Sequence, residues 1–307
     1  MNTKENTATM PVSFEDATGP IDVTLKNDMM FHLVMAKSPK ALKGLVCALK
    51  GLDPKTVKEV TLTNPVDYSK YATKEVILDV KVSLNNNEII DIELQMYVKG
   101  SWKLRTLLYL CRCFDSIGEG DDYSKLKPAT FIAIMNDPLF PDYPEFYSHY
   151  ELLNTKNFHS YSSYLKLNVL YLNKTDIATQ EDIDNDLVYW AEIFKATTWE
   201  ELKKICLKDD TFKEVAQVMY SSNVQSEEKT IMEAHEKYML DKRTLEHELQ
   251  ESREELALLA DEKAALSAEN SSLTAENSTL SSEVSKLLAL LKQNGISEEQ
   301  ITAYLEQ

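Results

Sequence analysis

The stretch EVILDVKVSLNNNEIIDIELQMY, residues 75–97, holds the acidic pattern with the clearest chemical content in the chain. Read as a strand, residues 75–84 put Val76, Leu78, Val80 and Val82 on one face, and Ile77, Asp79, Lys81 and Ser83 on the other. Residues 88–97 alternate in the same way, with Ile90, Ile92 and Leu94 on one side and Asp91, Glu93 and Gln95 on the other. Asn85-Asn86-Asn87 supplies a turn. A three-residue turn at 85–87 pairs Asp79 directly with Glu93 on one face of the ribbon. Two carboxylates in direct opposition repel, and sheets normally avoid that arrangement. A divalent cation between them removes the penalty. Oxygen ligands with room for water suit Mg²⁺ or Mn²⁺, and the matching chemistry is metal-assisted phosphodiester hydrolysis. The competing reading is a solvated hairpin face on which Lys81 opposes Asp91 and the carboxylates merely sit in water.

The elements that must position this ribbon follow from periodicity and from where glycine and proline fall. Every proline lies at or before Pro144, and no glycine occurs between Gly120 and Gly295, so mixed structure is expected first and helix afterwards. Residues 26–37 and 40–50 read as short helices, the second closed by Gly51 ahead of Asp53-Pro54. Strands are expected at 58–63, 75–84 and 88–97, a helix at 101–114, a buried strand at 128–135, and further strands at 145–152 and 164–172. From about Asp182 onward the pattern is helical. The expected organisation is a flexible segment 1–22, a core over 23–175, a helical extension over 176–244, a coiled coil over 245–293 and a short helix over 294–307.

The coiled coil rests on a sustained 3,4 repeat through Leu249, Leu256, Leu259, Leu266, Leu273, Leu280, Val284, Leu287 and Leu291. Lys263, Asn270 and Asn277 take a positions, where buried amides pair across two strands, and Glu255, Glu262, Glu269, Glu276 and Glu283 form the g row. Antiparallel pairing would oppose glutamate rows, so a parallel homodimer is expected. The alternative is a long solvated helix that docks on its own domain. Gly295 should end the rod, with Ser297 capping a last helix.

Composition excludes several classes. Lys+Arg 33 against Asp+Glu 50 gives −17, of which about −10 falls on residues 221–307, so the chain is no uniformly basic DNA coat. Cys47, Cys111, Cys113 and Cys206 have neither zinc-ligand spacing nor the density of a secreted disulfide framework, and a reducing cytoplasm is the simplest home. No stretch approaches the ~20 apolar residues of a membrane helix. His32, His149, His159, His235 and His247 include no pair at metal-binding helical spacing. Neither a Gly-rich phosphate loop nor a compelling Ser-His-Asp order is found. Six lysines between residues 36 and 60, namely Lys37, Lys40, Lys43, Lys50, Lys55 and Lys58, could steer a DNA backbone, although a solvated helix face is the commoner account.

Asp79, followed by Glu93-Leu94-Gln95 on the adjacent strand, resembles the Asp…(Asp/Glu)-x-Lys arrangement of PD-(D/E)XK nucleases. More narrowly, residues 24–250 resemble the PD-(D/E)XK nuclease family transposases, also called recombination-promoting nucleases. The resemblance is carried in order by TLKNDMMFHLVM, ILDVKV, IDIELQ, Arg105-x-x-x-Tyr109, YSKLKPATFIAI and VAQVMYSSNVQSEEKTIMEAHEKYMLDK. It implies an α/β, restriction-endonuclease-like core with a mixed sheet flanked by helices, followed by a helical region and the coiled coil. It also implies Asp79 and Glu93 as metal ligands, with the backbone carbonyl of Leu94 as third, and Asp28 as a supporting acid. Gln95 stands where many relatives have a lysine that activates water; this subfamily commonly shows Glu-x-Gln, and Lys81 is the candidate substitute cation. Arg105 and Tyr109, one helical turn apart, can contact phosphate or form a structural ion pair and a core contact.

The expected function is a Mg²⁺-dependent (Mn²⁺ as second choice) DNA endonuclease tied to recombination or mobile elements, acting in the cytoplasm as a coiled-coil dimer. The rival expectation is a noncatalytic protein that keeps the nuclease fold and recruits a partner through the coiled coil. A strand-transferring transposase is a third.

Overall fold

The computed structural model describes residues 13–64, 79–85, 87–96, 101–136 and 138–305. They divide between Tyr238 and Met239 into two compact units.

The first unit opens with α1 (Asp28–Lys37) and α2 (Pro39–Lys50). The side chain of Asn27 caps α1 by accepting from the main-chain N–H groups of Met29 and Met30, both at 3.1 Å. Ser38 and Pro39 start α2, and Gly51 ends it at φ 61°, the left-handed conformation that glycine adopts without strain. Strands β1 (Val60–Leu62), β2 (Val80–Leu84) and β3 (Glu88–Gln95) follow. Helix α3 (Trp102–Phe114) then crosses over to β4 (Ala129–Met135), and β5 (Tyr147–Leu153) and β6 (Ser160–Tyr171) complete the strands. Residues 75–78 of the expected strand lie outside the described residues.

The six strands form one mixed sheet in the order β1-β2-β3-β4-β6-β5. β3, β4 and β6 run parallel, while β1 with β2, β2 with β3, and β5 with β6 are antiparallel. The β3–α3–β4 connection is the helical crossover a parallel pair requires. β4 is buried along its whole length because both faces are covered, which explains its near-continuous apolar run. Its Ile132 and Ile134 join a core shared with α1, α2, α5 (Leu187–Lys195) and α7 (Asp210–Val224), whereas Phe131, Ala133 and Met135 pack with Trp102, Leu110 and Cys113 of α3. Gly44 of α2 has no room for a side chain, since an added Cβ would stand 2.7 Å from Thr211 Cγ2 of α7. α4 (Gln180–Asp184) and α6 (Trp199–Cys206) are short, and Thr179 and Thr198 each cap them in reciprocal capping boxes.

In the described part of the expected lead-in, residues 13–22, Phe14, Ala17 and Ile21 are buried, at 5%, 3% and 6% exposure, and Val23 and Leu25 just beyond it are buried too. The Ile21 N–H donates to Thr197 O at 2.8 Å, and the Asn223 amide holds the main chain of Val23 from both sides. The alternation Ile21, Val23, Leu25 was the available signal, and the polar residues before it obscured it.

Helix α8 runs Ser226–Gln293. In the second unit its leucine seam is exposed on the single chain, with Leu259 at 54%, Leu266 at 54%, Leu273 at 49% and Leu280 at 52%. Gly295, at φ 86°, closes the helix, and the Ile296 N–H donates back to Leu291 O at 3.2 Å. Ser297 and Gln300 then exchange side-chain to main-chain bonds at 3.3 and 3.1 Å, a capping box that opens α9 (Glu298–Leu305).

Candidate active site

The β2–β3 ladder pairs Val80 with Ile92 and Lys81 with Asp91, so the next residue outward, Asp79, falls opposite Glu93. The expected register is the observed one. Ile90, Ile92 and Leu94 join the aliphatic core on one side of the sheet, which turns Asp91, Glu93 and Gln95 to the side where α3 lies. There the solvated-face reading fails, because Asp91 and Glu93 are only 6% and 7% exposed. Helix α3 covers them: the Cys113 thiol donates to Asp91 Oδ2 at 3.4 Å, and Arg105 Nη2 donates to both Glu93 Oε1 and Gln95 Oε1.

Charge is only partly compensated here. Glu93 is pushed up to about 7, first by burial and then against the lowering effect of Arg105, with Asp79, Asp91 and Asp28 adding repulsion. Asp79 is likewise raised to about 7 by burial and by Asp91, with Arg105 and Lys81 opposing and Asp28 adding a smaller push. Burial also raises Asp91, and the Cys113 thiol beside it rises to about 11. Glu93 Oε2 and Asp91 Oδ1 are buried with no hydrogen-bond partner among the described residues. Unpaired buried carboxylate oxygens are costly, and a hard cation is the group their chemistry fits. Among the described residues no three His, Cys, Asp or Glu side chains converge on one ion position. An ion at this site would therefore draw on two carboxylates, a main-chain oxygen such as that of Leu94, and water.

The other expected residues fall as follows. Asp28 begins α1, and its charge reaches both Asp79 and Glu93. Lys81 shares the acidic face and stands across from Asp91. The Leu94 side chain is buried in the aliphatic core, so only its main chain serves the acidic side. Tyr109 is flanked by two guanidinium groups, Arg105 at 6.0 Å and Arg112 at 5.8 Å from its ring centre. Of the two readings of Arg105, the structure realises the ion pair. Removing it by Arg105→Met should leave Glu93 buried without its counter-charge and lower stability by roughly 1–3 kcal/mol, as read by chemical denaturation. An unchanged midpoint would show that the pair contributes nothing.

The lysine-rich stretch is largely committed to internal contacts. Lys37 pairs with Glu228 at 2.6 Å, Lys50 with Glu88 at 2.6 Å, Lys40 with Glu214 at 3.8 Å, and Lys43 donates to Val57 O at 2.8 Å. Lys50 and Lys43 are thus held in part-buried contacts, while Lys37 and Lys40 pair with glutamates and stay 38% and 46% exposed. Cys113 and Asn64 adjoin the site and were not anticipated, since each reaches it from an element whose placement has no local signature.

A mixed sheet with helices on both faces and an acidic pair beside its central parallel strands defines the restriction-endonuclease-like class of α/β nucleases. Residues 25–248 match the family described as PD-(D/E)XK nuclease family transposase, and the chain belongs to that family. Membership points to a nuclease or transposase-related function, and nucleases of this type typically use divalent metals. No curated protein and no solved structure matches the chain. Among the described residues no helix is long and apolar enough to cross a membrane.

Proposed function

We propose that this chain is a divalent-metal-dependent DNA endonuclease serving recombination or mobile elements, with Mg²⁺ as the working ion and Mn²⁺ able to replace it. The observation that carries this reading is the placement of half-buried Asp79, one residue beyond the Val80–Ile92 pair, opposite buried Glu93, both raised to about 7, with Glu93 Oε2 lacking a partner among the described residues. Asp79, Glu93 and the Leu94 carbonyl would hold the ion. When bound, it supplies Lewis acidity at a phosphoryl oxygen and lowers the pKa of a coordinated water. Gln95 orients the attacking water through its amide, and Lys81 provides positive charge toward the phosphate. Arg105, anchored on Glu93 and Gln95, holds both in place, and its guanidinium lies 6.0 Å from the centre of the Tyr109 ring.

Plasmid nicking by the full-length protein across a Mg²⁺ titration tests the proposal. Product should appear with metal and vanish with chelator, and no product at any Mg²⁺ or Mn²⁺ concentration refutes it.

The exposed seam over residues 245–291 supports a parallel homodimer, which would bring two sites to one duplex. Sedimentation equilibrium of the full chain should give twice the monomer mass, and Leu266→Lys combined with Leu273→Lys should return it to a monomer. A wild-type monomer at micromolar concentration would sink the dimer. The cysteines, three buried and one exposed, fit a reducing cytoplasm.

One observation favours a second reading. Arg105 already engages both Glu93 and Gln95, where a water-activating lysine would otherwise stand, as a retired site would. In that reading the fold is a noncatalytic scaffold whose coiled coil recruits a partner, and metal dependence is absent.

A further inference from the structure

β1 ends at Leu62, two positions before its partner strand has run out. The Thr63 N–H still donates to Lys81 O at 2.7 Å, continuing the ladder by one bond. One step further on, the Asp79 carbonyl and the Lys81 N–H on this edge of β2 meet a side chain in place of a backbone rung. The side chain of Asn64 takes both. Its Nδ2 donates to Asp79 O at 2.7 Å, and its Oδ1 accepts from the Lys81 N–H at 2.9 Å. A carboxamide presents its oxygen and one of its two N–H groups along the same edge, so it can meet a main-chain N–H and a main-chain carbonyl at once.

The anchor behind Asn64 is equally specific. His32, fully buried in α1 and one turn after Asp28, hydrogen-bonds the Asn64 backbone. Glu93 is held by its other neighbour, since the β3–β4 ladder runs through Glu93, paired with Ala133, and on to Gln95. Asp79 sits just outside the first paired residue of β2, at the end of the ladder where strand pairing alone gives least hold.

We infer that Asn64 is a positioning residue for the acidic pair: its side-chain amide clamps the main chain on both sides of Val80 and thereby fixes where the carboxylate of Asp79 is delivered. The inference rests on the metal-site reading above, and it assigns a function to a residue outside the acidic pair. Partners that orient metal ligands from behind typically matter about 10- to 100-fold in metal affinity or activity.

The test uses Mn²⁺ alone as probe on the full-length protein, with free ion followed by electron paramagnetic resonance. Asn64→Ala should bind Mn²⁺ about tenfold more weakly than wild type. Its affinity for DNA in chelator should be unchanged, a split that general loosening of the fold would not produce. Asn64→Asp keeps the acceptor for Lys81, loses the donor to Asp79 and adds a negative charge. Added charge by itself tightens cation binding, so weaker binding by Asn64→Asp identifies geometry as the cause. Equal Mn²⁺ affinity in wild type and Asn64→Ala overturns the inference. If circular dichroism shows that Asn64→Ala does not fold, Asn64→Asp decides, and affinity equal to or tighter than wild type overturns it. A wild type that binds no Mn²⁺ overturns the metal-site reading and this inference together, so the two failures are told apart.

Discussion

Asp79→Asn and Glu93→Gln should each lower Mg²⁺-dependent DNA cleavage by at least about a hundredfold, the scale expected when a metal loses one of two carboxylate ligands. Their effects on folding should differ in size. Asp79 is raised to about 7 by burial and by repulsion from Asp91, and it gains only partial relief from Arg105 and Lys81. A neutral amide there removes repulsion, so metal-free Asp79→Asn should melt above wild type at pH 8. Glu93 is the partner of Arg105. Glu93→Gln removes a like charge but weakens a charge-assisted pair, and its melting temperature should rise less or fall. Cleavage by either variant at the wild-type rate, at equal metal and DNA concentration, would remove that residue from the catalytic assignment.

The second large effect concerns pH. Asp79 and Glu93 both titrate near 7 in the folded chain, against ordinary values of 3.8 and 4.5. Between those limits the folded chain binds more protons than the unfolded one, so metal-free stability should fall as pH rises from about 4 to about 7 and level off above. Metal reverses the trend because it binds the deprotonated pair. Saturating Mg²⁺ at about 100 times its dissociation constant contributes about 2.7 kcal/mol, or roughly 5–10 °C in melting temperature for a unit of this size. That gain should be present at pH 8 and nearly absent at pH 5. Thermal melts at both pH values with Mg²⁺ or chelator check it. A Mg²⁺ shift of equal size at pH 5 would show that the ion is held elsewhere.

Much of the ribbon could be read without coordinates. Val80, Val82, Ile90 and Ile92 alternate with polar residues, and only three residues separate the strands, so the register had one solution that kept the aliphatic side intact. The two short helices and the stop at Gly51 were legible because apolar spacing and a glycine cap are local chemistry, while the starts fall one or two residues off, after the caps Asn27 and Ser38. The packing of residues 13–25 was less accessible. Their burial depends on α6 and α7, which lie far along the chain, as the contacts of Ile21 to Thr197 and of Val23 to Asn223 show.

The same division runs through the site. Periodicity determined which side chains share a face with Asp79 and Glu93, because alternation along a strand is a property of the backbone itself. It left open what lies above that face, since a crossover helix is positioned by packing against β4 and β6 and leaves no mark on the ribbon. Tertiary structure decided that α3 buries the acids, that Arg105 spans Glu93 and Gln95, and that Asn64 holds the peptide of Asp79. Desolvation by that covering helix is what turns an ordinary acidic hairpin into a pair whose charges demand a cation.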